Sequence, residues 1–257
     1  QRLLNEALAY GTTTMEIKSG YGLTEKDELR SIDIAAEFTE ETTLLAAHVI
    51  PEDFLTDPDG YVDLIINSII PKSNSKWIDV FCELGAFNPE QSEAILRAGI
   101  AQGMSARIHA NQLSAGKGVE LAVSLGAASA DHVSKSTKAD LELLASSTTV
   151  ATLLPGAEFS THAEENLGRR FLDAGVRVAI ASDCNPGSSF TTSMPFCIAA
   201  AVSILGFTVE EAVLAATVGG AQALRRVDIG QISVGKRADF VLLDAPSYIH
   251  LAYRPGV

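Results

Sequence analysis

Long hydrophobic runs are missing from this 257-residue sequence, although hydrophobic residues make up 47% of it. No apolar stretch reaches the roughly 20 residues that a membrane-spanning helix needs, so a membrane is not expected as a partner. Basic residues are also scarce, since 19 Lys and Arg stand against 32 Asp and Glu, giving a formal net charge of −13. Nucleic-acid backbones are bound by basic faces, and this balance therefore argues against a nucleic acid as a partner.

Cysteine is rare as well, with Cys82, Cys184 and Cys197 as the three in the chain. Their odd number and their spacing, which matches neither a CxxC pair nor a zinc knuckle, favour a reducing and cytoplasmic setting. The sequence also lacks an initiator Met and a signal peptide, and it starts at Gln1 inside the helical pattern LLNEALAY. We interpret it as an internal piece of a longer protein, so the absence of a targeting segment carries little weight.

A GxGxxG phosphate loop is absent too, which counts against the alternative of an open, doubly wound sheet. What the sequence contains is short apolar runs alternating with helical patterns, about seven times over at intervals of roughly 25–35 residues. This alternation predicts an α/β fold: a TIM-like (β/α)8 barrel over residues 1–226 that lacks its first strand in this chain. After Arg226, turn residues separate strand-like runs, and residues 227–257 are predicted to be part of a small β domain of the sandwich type.

Polar side chains follow the predicted strands at the points where these strands end. The strand at Val176–Ala181 is followed by Asp183, and the earlier strands are followed by Lys18 with Tyr21, His48, Glu83, His109 and His132. A barrel brings the carboxyl ends of its strands to one rim, where residues distant in sequence meet. Histidine nitrogens together with a carboxylate suit zinc or ferrous iron. The alternatives are that Asp183 caps a helix or shapes a turn, and that the histidines are core or surface residues, as expected for His162 and His250.

Several motifs resemble the metal-dependent amidohydrolase superfamily. They are IHANQ with His109, ADHV with His132, ASDCNPG with Asp183, and the tail G-x-I-x-x-G-x-x-A-D-F-V from Gly230 to Val241. The stretches EIKSGYGL, AAHVIP, SDCNPGS and HLAYRPGV are similar to the branch of that superfamily that opens a five-membered cyclic amide, an imidazolone carrying a propionate arm. The resemblance covers essentially the whole chain.

The resemblance implies a role for each matching residue. His109 and Asp183 would be ligands of one divalent metal, zinc or iron. His132 and Asp183 would be catalytic, with His132 close to the metal and Asp183 moving a proton. The residues implied in binding the small-molecule substrate are Tyr21, His48, Gln112, Asn185, Gly187 and Ser188. The family also implies a homodimer.

Two departures from the family pattern qualify this interpretation. The H-x-H pair that supplies two further metal ligands is nowhere in the chain, so the chain offers only about half of a metal site. Gln112 stands where some members carry Glu, and an amide orients a water or a substrate without accepting its proton. Two alternatives therefore stay open: another cyclic amidohydrolase or deaminase of the same superfamily, and a catalytically incomplete fragment.

Overall fold

The computed structural model describes residues 1–162 and 164–254. The chain forms two compact units by its internal contacts, one of Thr14–Leu143 and the other of Gln1–Thr13 with the residues from Leu144 onward. Each unit has its own parallel strands and its own helices.

Strands and helices alternate along both units. The strands are β1 (Glu16–Lys18), β2 (Glu41–Ala47), β3 (Trp77–Cys82), β4 (Ser105–Ala106), β5 (Ile108–Ala110), β6 (Ser129–His132), β7 (Val150–Leu153) and β8 (Val178–Ile180). The helices are α1 (Arg2–Ala9), α2 (Glu25–Ala36), α3 (Pro58–Leu64), α4 (Ile70–Lys72), α5 (Pro89–Ala101), α6 (Gly118–Ser124), α7 (Lys138–Ala145), α8 (Pro155–Thr161), α9 (Leu167–Asp173), α10 (Met194–Ser203), α11 (Val209–Leu214), α12 (Gly220–Ala223) and α13 (His250–Tyr253). Within the described ranges, no helix combines the length and the apolar character needed to cross a membrane.

In the unit Thr14–Leu143, the strands pair in parallel, β1 with β2, β2 with β3, β3 with both β4 and β5, and β5 with β6. The register sets Lys18 opposite Thr43 and Ala110 opposite His132. Because all these strands run the same way, their carboxyl ends lie along one edge of the sheet. In the other unit, β7 and β8 are also parallel, with Leu153 opposite Ile180.

Helix starts follow the capping signals in the sequence. Thr24 accepts the Asp27 backbone N–H at the start of α2. Asn88 and Thr208 each form a capping box, with Gln91 and Glu211 respectively. These side chains accept N–H groups that the helix itself leaves without a partner, and each cap is worth about 1 kcal/mol.

Three details differ from the sequence prediction. The pair Pro155-Gly156 predicts a turn that closes the strand at Val150–Leu154, but Pro155 instead begins helix α8, because proline fits the first helical turn, where no N–H is needed. His109 and His132 lie inside strands β5 and β6 instead of following them. Residues 227–254 contain turns and α13 but no strand, so their predicted membership of a small β domain stays a prediction. The last residues of the HLAYRPGV stretch, 255–257, lie outside the described residues.

Close packing of α5 on β3 leads to a prediction about stability. A Cβ added at Gly99 would lie 2.6–2.8 Å from three side-chain atoms of the buried Ile78. Gly99→Ala is therefore expected to lower the free energy of unfolding by about 1–3 kcal/mol through overpacking. Urea titration measures it, and Gly220→Ala, where the added Cβ meets nothing within 4 Å, is the matched control. Equal stability of the two variants would contradict the packing argument.

Candidate active site

A half-buried lysine is surrounded by carboxylates in the unit Thr14–Leu143. The Lys18 Nζ lies 2.6 Å from Asp79 Oδ2, 3.1 Å from Asp131 Oδ2 and 3.3 Å from Glu16 Oε1. Asp79 is fully buried and Asp131 nearly so. Charges removed from water are tolerated only when they are paired, and here strands β1, β3 and β6 supply the partners.

The pairing sets the protonation of this cluster. Burial alone would lower the pKa of Lys18, but Asp79, Glu16 and Asp131 raise it above its ordinary value. Burial would likewise raise the pKa of Asp79, yet His109 and Lys18 hold that pKa well below its usual range. The pKa of Asp131 is lowered despite burial, chiefly by Lys18. The ammonium and both aspartates are therefore ionised at neutral pH.

Arg107 extends the same network toward the amino-terminal ends of the strands. Its Nε lies 3.0 Å from Glu16 Oε1, and its Nη1 donates to Ser129 Oγ at 3.0 Å. The guanidinium carbon stands 4.1 Å from the centroid of the Trp77 ring, a cation–π contact. The Trp77 Nε1 in turn donates to the buried Glu41 at 2.8 Å. Arg107 and Trp77 thus connect Glu16 and the Lys18 cluster with Glu41.

His109 is oriented by Asp79. The His109 Nδ1 lies 3.1 Å from Asp79 Oδ1, and because a carboxylate only accepts, this nitrogen donates its proton. The Nε2 is then the nitrogen whose lone pair is free to bind a metal, as in the carboxylate–histidine pairs that hold many metal ligands. Burial would lower the pKa of His109, but Asp79 raises it overall.

Asp79, His109 and Asp131 have ligand atoms within 4.8 Å of one another, so this group could hold a metal ion. The Lys18 ammonium already bridges both carboxylates, however. A divalent ion between these two oxygens would lie against that positive charge. The donor set therefore fits a metal best through the Nε2 of His109, with Asp79 orienting the ring.

His132 lies beside His109, with ring centroids 5.2 Å apart. Burial, and then the charge of His109, lower the pKa of His132 to about 3, so the ring is neutral at physiological pH. The backbone of His132 is left-handed, with φ +70°, and that of Val133 is left-handed as well, with φ +51°. Consecutive left-handed residues, one of them β-branched, cost free energy, and such strain is frequent at functional sites.

The rings of Tyr21 and His48 lie at the same sheet edge. Their centroids are 5.1 Å apart in an edge-on contact, and Phe81 stands 6.1 Å from both His48 and His109. The His48 Nδ1 lies 3.0 Å from the carbonyl oxygen of Gly20. Burial lowers the pKa of His48 although this hydrogen bond opposes the shift. The structure thus brings together four residues predicted for the site, namely Tyr21, His48, His109 and His132.

Glu83, at the end of β3, anchors the loop that carries Gln112. Its carboxylate accepts the backbone N–H of Leu113 at 2.9 Å and also the Ser114 hydroxyl. Burial would raise the pKa of Glu83, but these bonds hold it below its ordinary value. Gln112 itself is half-buried, and Asn111 before it is left-handed at φ +49°.

Asp183 and the turn after it lie in the other unit. Asp183 is left-handed at φ +47°. The Asn185 Oδ1 accepts the backbone N–H groups of Gly187 at 2.7 Å and Ser188 at 2.9 Å, and its Nδ2 donates to the Asp183 carbonyl at 2.7 Å. The amide of Asn185 therefore builds the turn. The following helix α10 is capped by Ser193, so capping that helix is not the role of Asp183.

A glycine on helix α8 sets the space for this turn. A Cβ added at Gly156 would lie 2.3 Å from Ser189 Oγ. That hydroxyl donates to the carbonyl oxygen of Ser182 at 2.7 Å, directly before Asp183. The turn is thus held by the amide of Asn185 inside it and by the hydrogen bond from Ser189 to Ser182.

Sequence reasoning did not single out Asp79, Asp131, Glu16 or Arg107. A signal exists, because Asp79 is a charged residue in the middle of the buried strand WIDVFC, where an apolar side chain is the rule. The partner of each charge depends on strand register, which the sequence does not give. The ligand role of Asp183 and the substrate roles of Gln112, Asn185, Gly187 and Ser188 stay predictions.

Comparison with known proteins identifies the family. Residues 85–255 match the model of the amidohydrolase family. The chain belongs to the amidohydrolase family, as the motifs around His109, His132 and Asp183 predict. Relatives named imidazolonepropionase are 60% identical over 258 residues in Mycolicibacterium smegmatis, 59% over 258 in Streptomyces griseus and 58% over 261 in Salinispora arenicola. Each match covers all of this chain, and the chain spans 65%, 66% and 67% of the length of these relatives.

Solved structures show the same fold. A variant of the atrazine chlorohydrolase from Arthrobacter aurescens, in complex with zinc and atraton, matches with a TM-score of 0.72 at 16% identity, covering 98% of this chain and 66% of that one. An adenosine deaminase from Xanthomonas campestris with bound zinc matches with a TM-score of 0.66 at 18% identity, covering 98% and 64%. The predicted fold class, a TIM-like barrel of the amidohydrolase type, is confirmed.

The hydrogen bonds of Glu83 lead to a prediction about pH. Because its pKa is lowered in the folded protein, its contribution to stability is present above the ordinary value of 4.5 and is lost as the pH falls through the lower, folded value. Glu83→Gln should therefore be less stable than the wild type by about 1–3 kcal/mol at neutral pH, and this gap should narrow below pH 4.5. Chemical unfolding at several pH values measures the gap. Glu142→Gln, at an exposed position on α7, is the control, and a gap independent of pH would contradict the assignment.

Proposed function

We propose that the full-length protein is an imidazolonepropionase that hydrolyses 4-imidazolone-5-propanoate to N-formimino-L-glutamate in histidine degradation. The observation that carries this proposal is the 60% identity, along the whole chain, to a relative of that name. The deaminase and the chlorohydrolase among the solved structures are 16–18% identical, which supports a common fold and no common substrate. Gln112 also weighs against a deaminase, because an amide does not carry the proton that a glutamate there would.

The metal in this proposal is one divalent ion, zinc or iron, with His109 and Asp183 among its ligands. The hydrogen bond from His109 Nδ1 to Asp79 supports His109 as a ligand through Nε2. Such an ion supplies Lewis acidity and lowers the pKa of a bound water toward ~7. The zinc in the chlorohydrolase and deaminase structures belongs to those proteins and supports the choice of a divalent ion by analogy.

The chain's own residues divide the proton transfers between them. Asp183 takes a proton from the attacking water while the water oxygen bonds to the ring carbonyl carbon. The bond from this carbon to the ring nitrogen then breaks, and Asp183 returns the proton to that nitrogen. His132 is neutral at pH 7 and stabilises the negative charge that develops on the carbonyl oxygen by donating a hydrogen bond.

The remaining predicted residues bind the substrate. Tyr21 and His48 contact the imidazolone ring or its propionate arm, and Gln112 orients the reacting groups. Asn185, Gly187 and Ser188 hold the polar end of the substrate, with Asn185 acting through the turn that its amide builds. We further propose that the protein is cytoplasmic and forms a homodimer, on the basis of its free cysteines and of the family resemblance.

The activity has a direct test. Purified full-length protein should convert 4-imidazolone-5-propanoate to N-formimino-L-glutamate. Chromatography of the product measures this conversion. His109→Ala and Asp183→Ala should each lower kcat/KM by at least about 100-fold, as expected for the loss of a ligand or of a proton carrier. Lys138→Ala, at an exposed position on α7, is the control with unchanged activity. Full activity in either alanine variant at the proposed site would overturn the assignment.

The support of His109 by Asp79 has a separate test in metal binding. Asp79→Asn removes the carboxylate that accepts from His109 Nδ1, and it should weaken zinc binding by the full-length protein about 10–100-fold. Asp131→Asn is the matched control, because Asp131 contacts Lys18 but is not hydrogen-bonded to His109. Competition with a chelator measures both affinities. Equal losses in the two variants would instead indicate that both aspartates are ligands.

A further inference from the structure

The loop between β1 and α2 folds around one buried carboxylate. Glu28, in the first turns of α2, is fully buried. Its Oε2 accepts the backbone N–H of Gly20 at 3.0 Å, and its Oε1 accepts those of Gly22 at 2.7 Å and Leu23 at 3.0 Å. A buried carboxylate is costly unless it is well hydrogen-bonded, and three backbone donors satisfy it here.

The backbone of this loop is shaped to bring those donors together. Gly20 has φ +122° and Leu23 has φ +56°, both in regions that ordinary residues avoid. A Cβ added at Gly22 would lie 2.5 Å from the Glu28 nitrogen and 2.6 Å from the Asp27 carbonyl carbon. The loop therefore reaches the carboxylate only with glycine at positions 20 and 22. The hydrogen bonds to Glu28 offset the backbone strain at Leu23.

Two residues proposed to bind substrate depend on this loop. Tyr21 stands between the anchored peptides of Gly20 and Gly22, with 61% of its surface exposed. His48 bonds through Nδ1 to the carbonyl oxygen of Gly20, and its ring meets the edge of the Tyr21 ring. The peptide groups flanking the Cα of Gly20 are thus fixed on one side by Glu28 and on the other by His48.

We propose that Glu28 is a positioning residue for substrate binding: it holds the loop of residues 19–24 so that Tyr21 and His48 are preorganised for the imidazolone. This inference rests on the proposed function. Glu28 is buried and acts through these two residues without touching the substrate itself. Rigid placement of binding groups before the ligand arrives increases affinity, because less conformational freedom is lost on binding.

The test replaces Glu28 by Gln in the full-length metal-loaded enzyme. The amide keeps one acceptor oxygen, but its NH2 group faces backbone N–H donors and releases the loop. KM for 4-imidazolone-5-propanoate should rise roughly tenfold while kcat changes less than about threefold, the pattern of lost uniform binding. Glu25→Gln is the matched control, since Glu25 is a first-turn acid of the same helix that bonds to Ser68 and Lys72 instead of to the loop. It should leave both constants unchanged.

A second readout reports on the loop without any substrate. Hydrogen exchange of the peptide that contains Gly20, Gly22 and Leu23 should accelerate at least about tenfold in Glu28→Gln and not in Glu25→Gln, because exchange follows local opening. If the wild type has no activity on the imidazolone, the proposed function fails while this exchange still decides whether Glu28 anchors the loop. Faster exchange with an unchanged KM would overturn the positioning role.

A double-mutant cycle separates positioning from general destabilisation. In a Tyr21→Ala background, Glu28→Gln should raise KM by clearly less than it does alone, because the side chain being positioned is already missing. Independent effects on KM would contradict action through Tyr21. Should Glu28→Gln fail to fold, Glu28→Asp keeps the charge but shortens the reach by one methylene, and the same rise in KM and in exchange is expected, with unchanged values overturning the proposal.

Discussion

The ion cluster around Lys18 is the interaction on which the interior of the Thr14–Leu143 unit depends. One ammonium contacts carboxylates from three positions, and the same Asp79 that accepts from Lys18 also accepts from His109. Removing Lys18 would leave the buried carboxylates of Asp79 and Asp131 without the ammonium that contacts both, which costs several kcal/mol. The cluster therefore links the stability of this unit to the orientation of a proposed metal ligand. A strand with an apolar residue at position 79 could still pack, but it would leave the imidazole of His109 without its acceptor.

Part of the backbone strain lies where the proposed chemistry is. Asn111, His132, Val133 and Asp183 all have positive φ, and each lies just past a strand or at its last residue. Outside glycine such conformations are uncommon and cost of order 1–3 kcal/mol each. Surrounding hydrogen bonds hold some of them, as when the Val133 N–H donates to Ala110 at 3.0 Å. The stable sheet thus supports local conformations that these residues would not adopt alone.

Much of the fold could be predicted from local signals, and part of the site could not. Caps such as Thr24, Asn88 and Thr208 act over three residues, so the sequence alone reveals them. Strand ends bearing His48, His109 and His132 could be located because apolar runs stop there. The pairing of Lys18 with Asp79 and Asp131 spans 61 and 113 residues and depends on register, which no local pattern encodes. Helix α8 was missed because Pro155-Gly156 resembles a turn, although proline also begins helices.

The Gly156–Ser189 contact bears on how this protein tolerates mutation. Gly156 carries no charge and no side chain and has no unusual φ, yet any side chain there would displace the hydroxyl that bonds to Ser182. The constraint at this position is steric: the backbone packs so closely against Ser189 that no side chain fits. Substitutions should therefore be poorly tolerated at some positions that carry no catalytic or binding group. At these positions the backbone beside a strand end is packed too closely for a side chain.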